Sequence, residues 1–100
     1  MSKSLIPKLQ AIKQRYNEVA DLIIQPDVIT DQKRYGQLNK EYSDLKEIVD
    51  LTHEYRNTLN YFKQAKDMLN TEKDPELKEM AKMEMEEMEA KIGPLEEKIR

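Results

Sequence analysis

Hydrophobic residues recur at alternating steps of four and three along the first part of the chain, with polar residues between them. They are Leu5, Leu9, Ile12, Tyr16, Val19 and Ile23. Such steps place side chains on one face of an α-helix. Ser4 can cap this helix, and Pro7 is tolerated in its first turn. Pro26 ends the pattern, because a residue that precedes proline is disfavoured in the helical conformation. The pattern predicts a helix over residues 4–24.

A second and much longer hydrophobic stripe follows a short connection at residues 25–30. Its members are Tyr35, Leu38, Tyr42, Leu45, Ile48, Tyr55, Leu59, Phe62 and Leu69, and Val49 and Leu51 widen it. Thr30 or Asp31 can cap the helix. Gly36 costs a helix only about 1 kcal/mol relative to alanine. We expect one helix over residues 31–69, which would be a rod of about 55–60 Å.

A third stripe begins after a break at residues 70–73. Asp74 as N-cap, Pro75 at the first helical position and Glu76 in the first turn form a strong helix start. The stripe itself consists of Leu77, Ala81, Met85, Met88, Ile92, Leu95 and Ile99. Pro94, preceded by Gly93, removes a backbone donor and crowds the preceding turn. The pattern therefore predicts a helix over residues 75–92 that is disturbed or ended at this pair.

Together the three patterns predict an all-α fold. The short link between the second and third helices favours a long antiparallel helix pair, on which the shorter N-terminal helix packs. We expect the core of the pair to contain Leu45, Leu59, Phe62, Met88 and Ile92. The first helix is too short to cover the whole pair. Apolar positions near the free ends are then expected to stay partly exposed and to promote weak dimerisation of the isolated chain; they are Met68, Leu69, Leu95 and Ile99.

The charge pattern excludes some classes of partner. The net charge is −3 with 37% charged residues, which argues against a nucleic-acid binder that acts through one large basic surface. Residues 72–91 carry eight acidic and four basic side chains, a mild cluster typical of a solvated helix face. There is no apolar leader and no run long enough to span a membrane, so we expect a cytoplasmic protein without a membrane partner.

Residues able to support catalysis or ligand binding are scarce. The chain has no cysteine and a single histidine, His53, which cannot supply a metal-ligand cluster alone. We therefore expect no catalytic, cofactor-binding or metal-binding residue. Met80 and Met83 lie off the stripe; packing in the core or against a neighbouring domain is favoured for them over a partner-binding groove. Tyr16, Tyr35, Tyr42 and Tyr55 lie on the stripes, where a tyrosine buries its ring and leaves its hydroxyl in water, whereas Tyr61 lies off them and is the best candidate for a surface contact.

Three segments resemble a known family. Residues 31–45 read DQKRYGQLNKEYSDL, residues 74–81 read DPELKEMA and residues 15–19 read RYNEV. In this order and separation they resemble the N-terminal domain of bacterial class-1 peptide chain release factors, and the resemblance covers essentially all 100 residues. Of the two bacterial paralogues, the sequence is more similar to the factor that reads UAA and UAG. Residues 25–28, QPDV, also resemble the UGA-reading paralogue.

The resemblance implies a role in translation termination. Members of that family read stop codons and trigger peptidyl-tRNA hydrolysis through a codon-reading tripeptide and a Gly-Gly-Gln loop, neither of which is present here. Residues 1–100 would then be an N-terminal helical domain, a fragment that ends before the decoding and Gly-Gly-Gln domains, and not itself an enzyme. Its implied partners are the ribosome, at the stalk base near the GTPase-associated centre, and functionally the class-2 release factor GTPase. The alternative is a structural coiled-coil or oligomerisation module of an unrelated protein, which requires a stricter heptad pattern.

Overall fold

Four α-helices account for most of the part of the chain that the computed structural model describes, residues 5–99. Their bounds are Leu5–Leu22 for α1, Pro26–Ile29 for α2, Gln32–Thr71 for α3 and Pro75–Ile99 for α4. No strand occurs within these residues, which confirms the predicted all-α class. Ser4, the predicted cap of the first helix, lies outside the described residues.

The chain divides into two compact units, Met1–Asp50 and Leu51–Arg100, and the boundary falls inside α3. We call them the N-terminal unit and the C-terminal unit. In the N-terminal unit, α1 carries the predicted apolar stripe, with Leu5, Leu9 and Val19 buried. It ends at Leu22, close to the predicted end, and the N–H of Gln25 donates to the Leu22 carbonyl at 3.1 Å.

The predicted connection at residues 25–30 contains a one-turn helix, α2, which the sequence pattern did not predict. The reason is the burial of Val28, which is fully covered and forms a cluster with Val19 and Leu38. A single turn that starts at Pro26 directs Val28 inwards, and proline suits the first position of a helix. Two further bonds close the turn, because the Thr30 hydroxyl and backbone N–H donate to the Pro26 carbonyl at 3.0 and 3.1 Å.

Helix α3 begins at the predicted cap and runs for 40 residues. The side chain of Asp31 accepts a hydrogen bond of 3.1 Å from the N–H of Arg34, which identifies Asp31 rather than Thr30 as the cap. Gly36 lies inside this helix and does not interrupt it, and an added Cβ at this position would meet no atom beyond the local helix backbone within 4 Å. The long, uninterrupted second helix is confirmed.

The C-terminal unit is a helical hairpin formed by the second part of α3 and by α4. The connection is short, and Oδ1 of Asp74 accepts a hydrogen bond of 2.9 Å from the N–H of Glu76, as an N-cap does. Oε1 of Glu72 accepts two further hydrogen bonds, from the backbone N–H groups of Lys73 and Asp74. The predicted start of the last helix at Pro75 is confirmed.

The predicted core residues are only half-buried, and this expectation was wrong. Leu59, Phe62, Met88 and Ile92 are half-buried, whereas the buried residues of this unit are Tyr55, Thr58, Ala65, Ala81, Leu95 and Ile99. Two of the buried positions hold small side chains, Ala65 and Ala81, and periodicity alone does not tell which positions of a covered face are the most deeply buried. Leu45 is also half-buried and packs on the Val28 cluster of the N-terminal unit instead.

Helix α4 passes through Pro94 and continues to Ile99, so the expectation of a helix that ends or is disturbed at Gly93 and Pro94 was wrong on the ending. Leu95 and Ile99 are 5% and 4% exposed. Burying a side chain of this size is worth about 1.5–3 kcal/mol, enough for two of them to offset one proline in a helix. The same burial overturns the expectation that these two residues stay exposed. Met68 is 48% exposed, as expected, while Leu69 is half-buried.

Candidate interaction surfaces

A bidentate ion pair joins α1 to α3 in the N-terminal unit. Nε of Arg15 lies 2.7 Å from Oε2 of Glu41, and Nη2 lies 2.8 Å from Oε1. Arg15 also donates to Glu18 at a longer 3.4 Å. The hydrogen bond from the guanidinium lowers the pKa of Glu41, and the same bond raises the pKa of Arg15. This geometry fixes the register of α1 on α3.

Tyr16 and Tyr42 form a second link one position further along each helix. Their rings stack with centroids 5.0 Å apart, and the Tyr16 hydroxyl donates to the Tyr42 hydroxyl at 3.0 Å. This hydrogen bond, together with burial, raises the pKa of Tyr16. Because each ring has one face against the other, the two tyrosines hold α1 and α3 together.

The remaining tyrosines divide into one buried and two exposed. Tyr55 is fully covered and its hydroxyl donates to Oε1 of Glu96 at 2.7 Å, so the expectation of a solvated hydroxyl was wrong here. Tyr35 is 38% exposed, more than its place on the stripe predicts. Tyr61 is 50% exposed, which confirms it as a residue available for a surface contact.

An exposed apolar surface lies on α4. Met80 and Met83 are 65% and 63% exposed, while Met85 and Met88 are half-buried, as their positions relative to the stripe predict. A shallow hollow is lined by Met80, Met83, Glu84, Glu87 and Met88, and we call these residues the acid–methionine face. The sequence identified the two off-stripe methionines and favoured packing, in the core or against a neighbouring domain, over a partner-binding groove; their exposure shows that they do not pack within the C-terminal unit.

A second hollow, of about 220 Å³, lies beside Pro94. It is lined by Glu54, Ala90, Lys91, Pro94, Leu95 and Lys98. Its charged groups are long, solvated side chains at its rim, whereas acid–base catalysis needs carboxylates or amines held in a desolvated cleft. His53 is exposed on α3. No group of three potential metal ligands comes together within residues 5–99.

Sequence reasoning missed both polar links, Arg15 with Glu41 and Tyr55 with Glu96. A signal for the first was present, because Arg15 precedes Tyr16 as Glu41 precedes Tyr42, so both pairs have the same separation of 26 residues. No comparable signal marks Glu96.

No helix of the described chain is long and apolar enough to cross a lipid bilayer.

Comparison with known proteins gives consistent matches. The family model described as the PCRF domain matches residues 12–100. Three similar relatives are each named peptide chain release factor 1. The protein of Cytophaga hutchinsonii is 42% identical over 92% of this chain and 26% of its own length. The protein of Flavobacterium johnsoniae is 44% identical over 96% of this chain and 27% of its own length. The protein of Parabacteroides distasonis is 45% identical over 97% of this chain and 26% of its own length.

The chain spans about a quarter of the length of these curated relatives. No solved structure was found to match it.

Proposed function

The chain belongs to the PCRF domain family, and we propose that it is the N-terminal helical domain of a peptide chain release factor that acts in translation termination. The observation that carries the proposal is the family match over residues 12–100, supported by relatives at 42–45% identity that are named peptide chain release factor 1. A match of this extent sets aside the alternative of a coiled-coil module from an unrelated protein.

In this proposal the domain has no catalytic task. The whole factor reads UAA and UAG and triggers peptidyl-tRNA hydrolysis, through segments outside these 100 residues. The sequence is consistent with this division, since its two glycines, Gly36 and Gly93, are far apart and no Gly-Gly-Gln is present. The polar links Arg15–Glu41 and Tyr55–Glu96 are suited to holding helices in register, not to transferring protons.

We propose further that the domain contacts the stalk base of the large ribosomal subunit in the cytoplasm and affects how the class-2 GTPase ejects the factor. Two exposed side chains on α3 support the proposal. The exposed Tyr61 and Met68 on this helix are available for contacts.

A tethered cleavage probe tests the contact. The chain contains no cysteine, so one introduced cysteine gives a unique attachment point. The carrier is the Flavobacterium johnsoniae relative with its matching N-terminal segment replaced by this chain and its own cysteines removed. An iron chelate at Met68→Cys is compared with one at Glu47→Cys, an exposed position in the N-terminal unit.

We expect strand cleavage of stalk-base ribosomal RNA from at least one of these positions in termination complexes, and none in ribosomes without the factor. Cleavage confined to RNA distant from the stalk base contradicts the proposed contact. Loss of all cleavage together with normal peptide release would show that the domain does not touch the ribosome.

Weak dimerisation of the isolated chain stays a prediction. Of the four residues first expected to drive it, Leu95 and Ile99 are buried, so the surface available near that end is smaller than expected. Sedimentation of residues 1–100 over a wide concentration range checks it, and a strictly monomeric profile contradicts it.

A further inference from the structure

The acid–methionine face has no partner within the C-terminal unit. Met80 and Met83 project from the same side of α4, because three residues correspond to about 60° around a helix axis. Both side chains are more than half exposed, at 65% and 63%. Exposed large apolar side chains that adjoin one another are typical of contact surfaces, whereas scattered single ones are ordinary.

The charges around these methionines have one predominant sign. Successive residues are about 100° apart around the axis of an α-helix. Viewed down the axis of α4, Glu76 and Glu87 lie within about 10° of the direction midway between Met80 and Met83, and Glu84 lies within about 70° of it. Lys78 and Lys82 fall more than about 120° away, towards the other side of the helix. The acids in question are all exposed.

Two basic residues of α4 lie on this side of the helix, but Lys98 is 15 residues beyond Met83, or roughly 22 Å along the axis, so only Lys91 is near the methionines. Lys91 lies 3.6 Å from Oε1 of Glu87 in an exposed pair. Glu76 and Glu84 make no ion pair within residues 5–99, so most of the negative charge beside the methionines is not neutralised internally. A partner that brings positive charge would gain from it.

These charges discriminate between possible occupants. Nucleic acid is disfavoured, because its phosphates would face carboxylates. A second copy of the chain is disfavoured as well, since a two-fold contact through this face brings Glu84 and Glu87 against the same acids. An amphipathic helix with lysine or arginine beside its apolar stripe complements both the exposed methionines and the carboxylates of the face.

We propose that the acid–methionine face binds a basic amphipathic helix of a partner protein. The apolar stripe of the partner lies on Met80 and Met83, and its lysine or arginine side chains pair with Glu84 and Glu87. Methionine suits this task because its flexible, polarizable side chain adapts to different apolar shapes. The inference depends on this helix face alone and goes beyond the role in termination.

A peptide titration of the full 100-residue chain tests the proposal. The probe is a synthetic helix of about 18 residues, with leucine at helical steps of three and four and lysine elsewhere. A control peptide has the same composition with its leucines placed so that no apolar face forms. The methionine ε-methyl resonances report the contact site, and Met68, exposed on α3, is the internal control.

We expect the Met80 and Met83 signals to shift with the first peptide, while the Met68 signal stays in place. The double variant Met80→Gln/Met83→Gln should weaken peptide binding by at least about tenfold, against less than about twofold for Met68→Gln. Glu84→Gln/Glu87→Gln should also weaken binding and reduce its dependence on salt. Because the resonances are read on the unaltered chain, the result does not depend on how the variants fold.

Three results would overturn the proposal. The first is unshifted Met80 and Met83 signals at saturation, and the second is equal binding of the control peptide. The third is a shift of the same signals caused by another occupant, either on concentrating the chain without peptide or on adding single-stranded oligouridine.

Discussion

The hydroxyl of Tyr55 on α3 donates a hydrogen bond of 2.7 Å to the carboxylate of Glu96 on α4. Tyr55 is fully buried, and a buried tyrosine needs a partner for its hydroxyl. The two residues are 41 positions apart, so this bond fixes the register of the hairpin far from its connecting loop. Among the described residues, no buried side-chain nitrogen or oxygen lacks a hydrogen-bond partner.

Removing this hydroxyl should destabilise the chain without changing its shape. Tyr55→Phe keeps the buried ring but deprives Glu96 of a donor, and a hydrogen bond to a charged group contributes about 1.5–3 kcal/mol. We expect the free energy of unfolding to fall by about that amount in a denaturant titration. Tyr61→Phe, at a half-exposed ring, is the matched control and should change little. Equal stability of Tyr55→Phe and the unaltered chain would mean that the bond contributes nothing.

The ion pair between Arg15 and Glu41 should make the stability of the fold depend on pH in the acid range. The pKa of Glu41 is held below its ordinary value of about 4.5 by Arg15. A carboxylate with a depressed pKa in the folded state stabilises the fold above its unfolded pKa and loses that contribution as the pH falls through the folded value. Glu41→Gln should therefore lower the melting temperature at neutral pH, and the difference should narrow as the pH falls below about 4.

Thermal unfolding at a series of pH values measures this difference. Glu47→Gln serves as the control, because Glu47 is exposed and makes no ion pair in the described part of the chain. A gap between Glu41→Gln and the unaltered chain that stays constant from neutral to acid pH contradicts the assignment.

Pro94 should limit the stability of α4. It lies inside the helix, where a proline removes one backbone hydrogen bond and costs about 3 kcal/mol. Pro94→Ala should raise the free energy of unfolding by about 1–3 kcal/mol. Pro75→Ala should give no rise, because Pro75 is at the first helical position, which favours proline. A loss of stability in Pro94→Ala would show that the ring itself is required for packing.

Phe62 should contribute less than a core phenylalanine. Replacing a fully buried phenylalanine by alanine lowers the free energy of unfolding by about 3–5 kcal/mol. Because Phe62 is only half-buried, we expect Phe62→Ala to lower it by about 1–2 kcal/mol. Denaturant titration beside Tyr61→Ala, which should cost less than about 0.5 kcal/mol, measures the difference. A cost near the full core value would contradict the half-buried state of Phe62.

The local features of the fold were predictable from the sequence. The caps Asp31 and Asp74 and the long α3 follow from short-range rules that connect a side chain to its own helix. Pro94 shows the limit of such rules, because the penalty is local while the burial of Leu95 and Ile99 that offsets it arises from tertiary packing.

The details of packing were less predictable. Periodicity identifies which face of a helix is covered, but it does not show how closely two helices approach. Ala65 and Ala81 are buried, whereas the larger Phe62 is only half-buried. For the candidate surface, spacing separated Met80 and Met83 from the stripe, and only their exposure showed that the fold leaves them open.

The most direct measurement of the central claim is the turnover of a chimeric release factor. The chimera is the Flavobacterium johnsoniae relative in which this chain replaces the matching segment, and the comparison is the same factor with that segment deleted. Both are assayed for peptide release at UAA and for multiple turnover in the presence and absence of the class-2 GTPase. We predict that both release peptide and that the GTPase accelerates turnover of the chimera but not of the deleted form. A chimera that the GTPase accelerates no more than the deleted form would contradict the assignment of this chain as the N-terminal domain of a release factor.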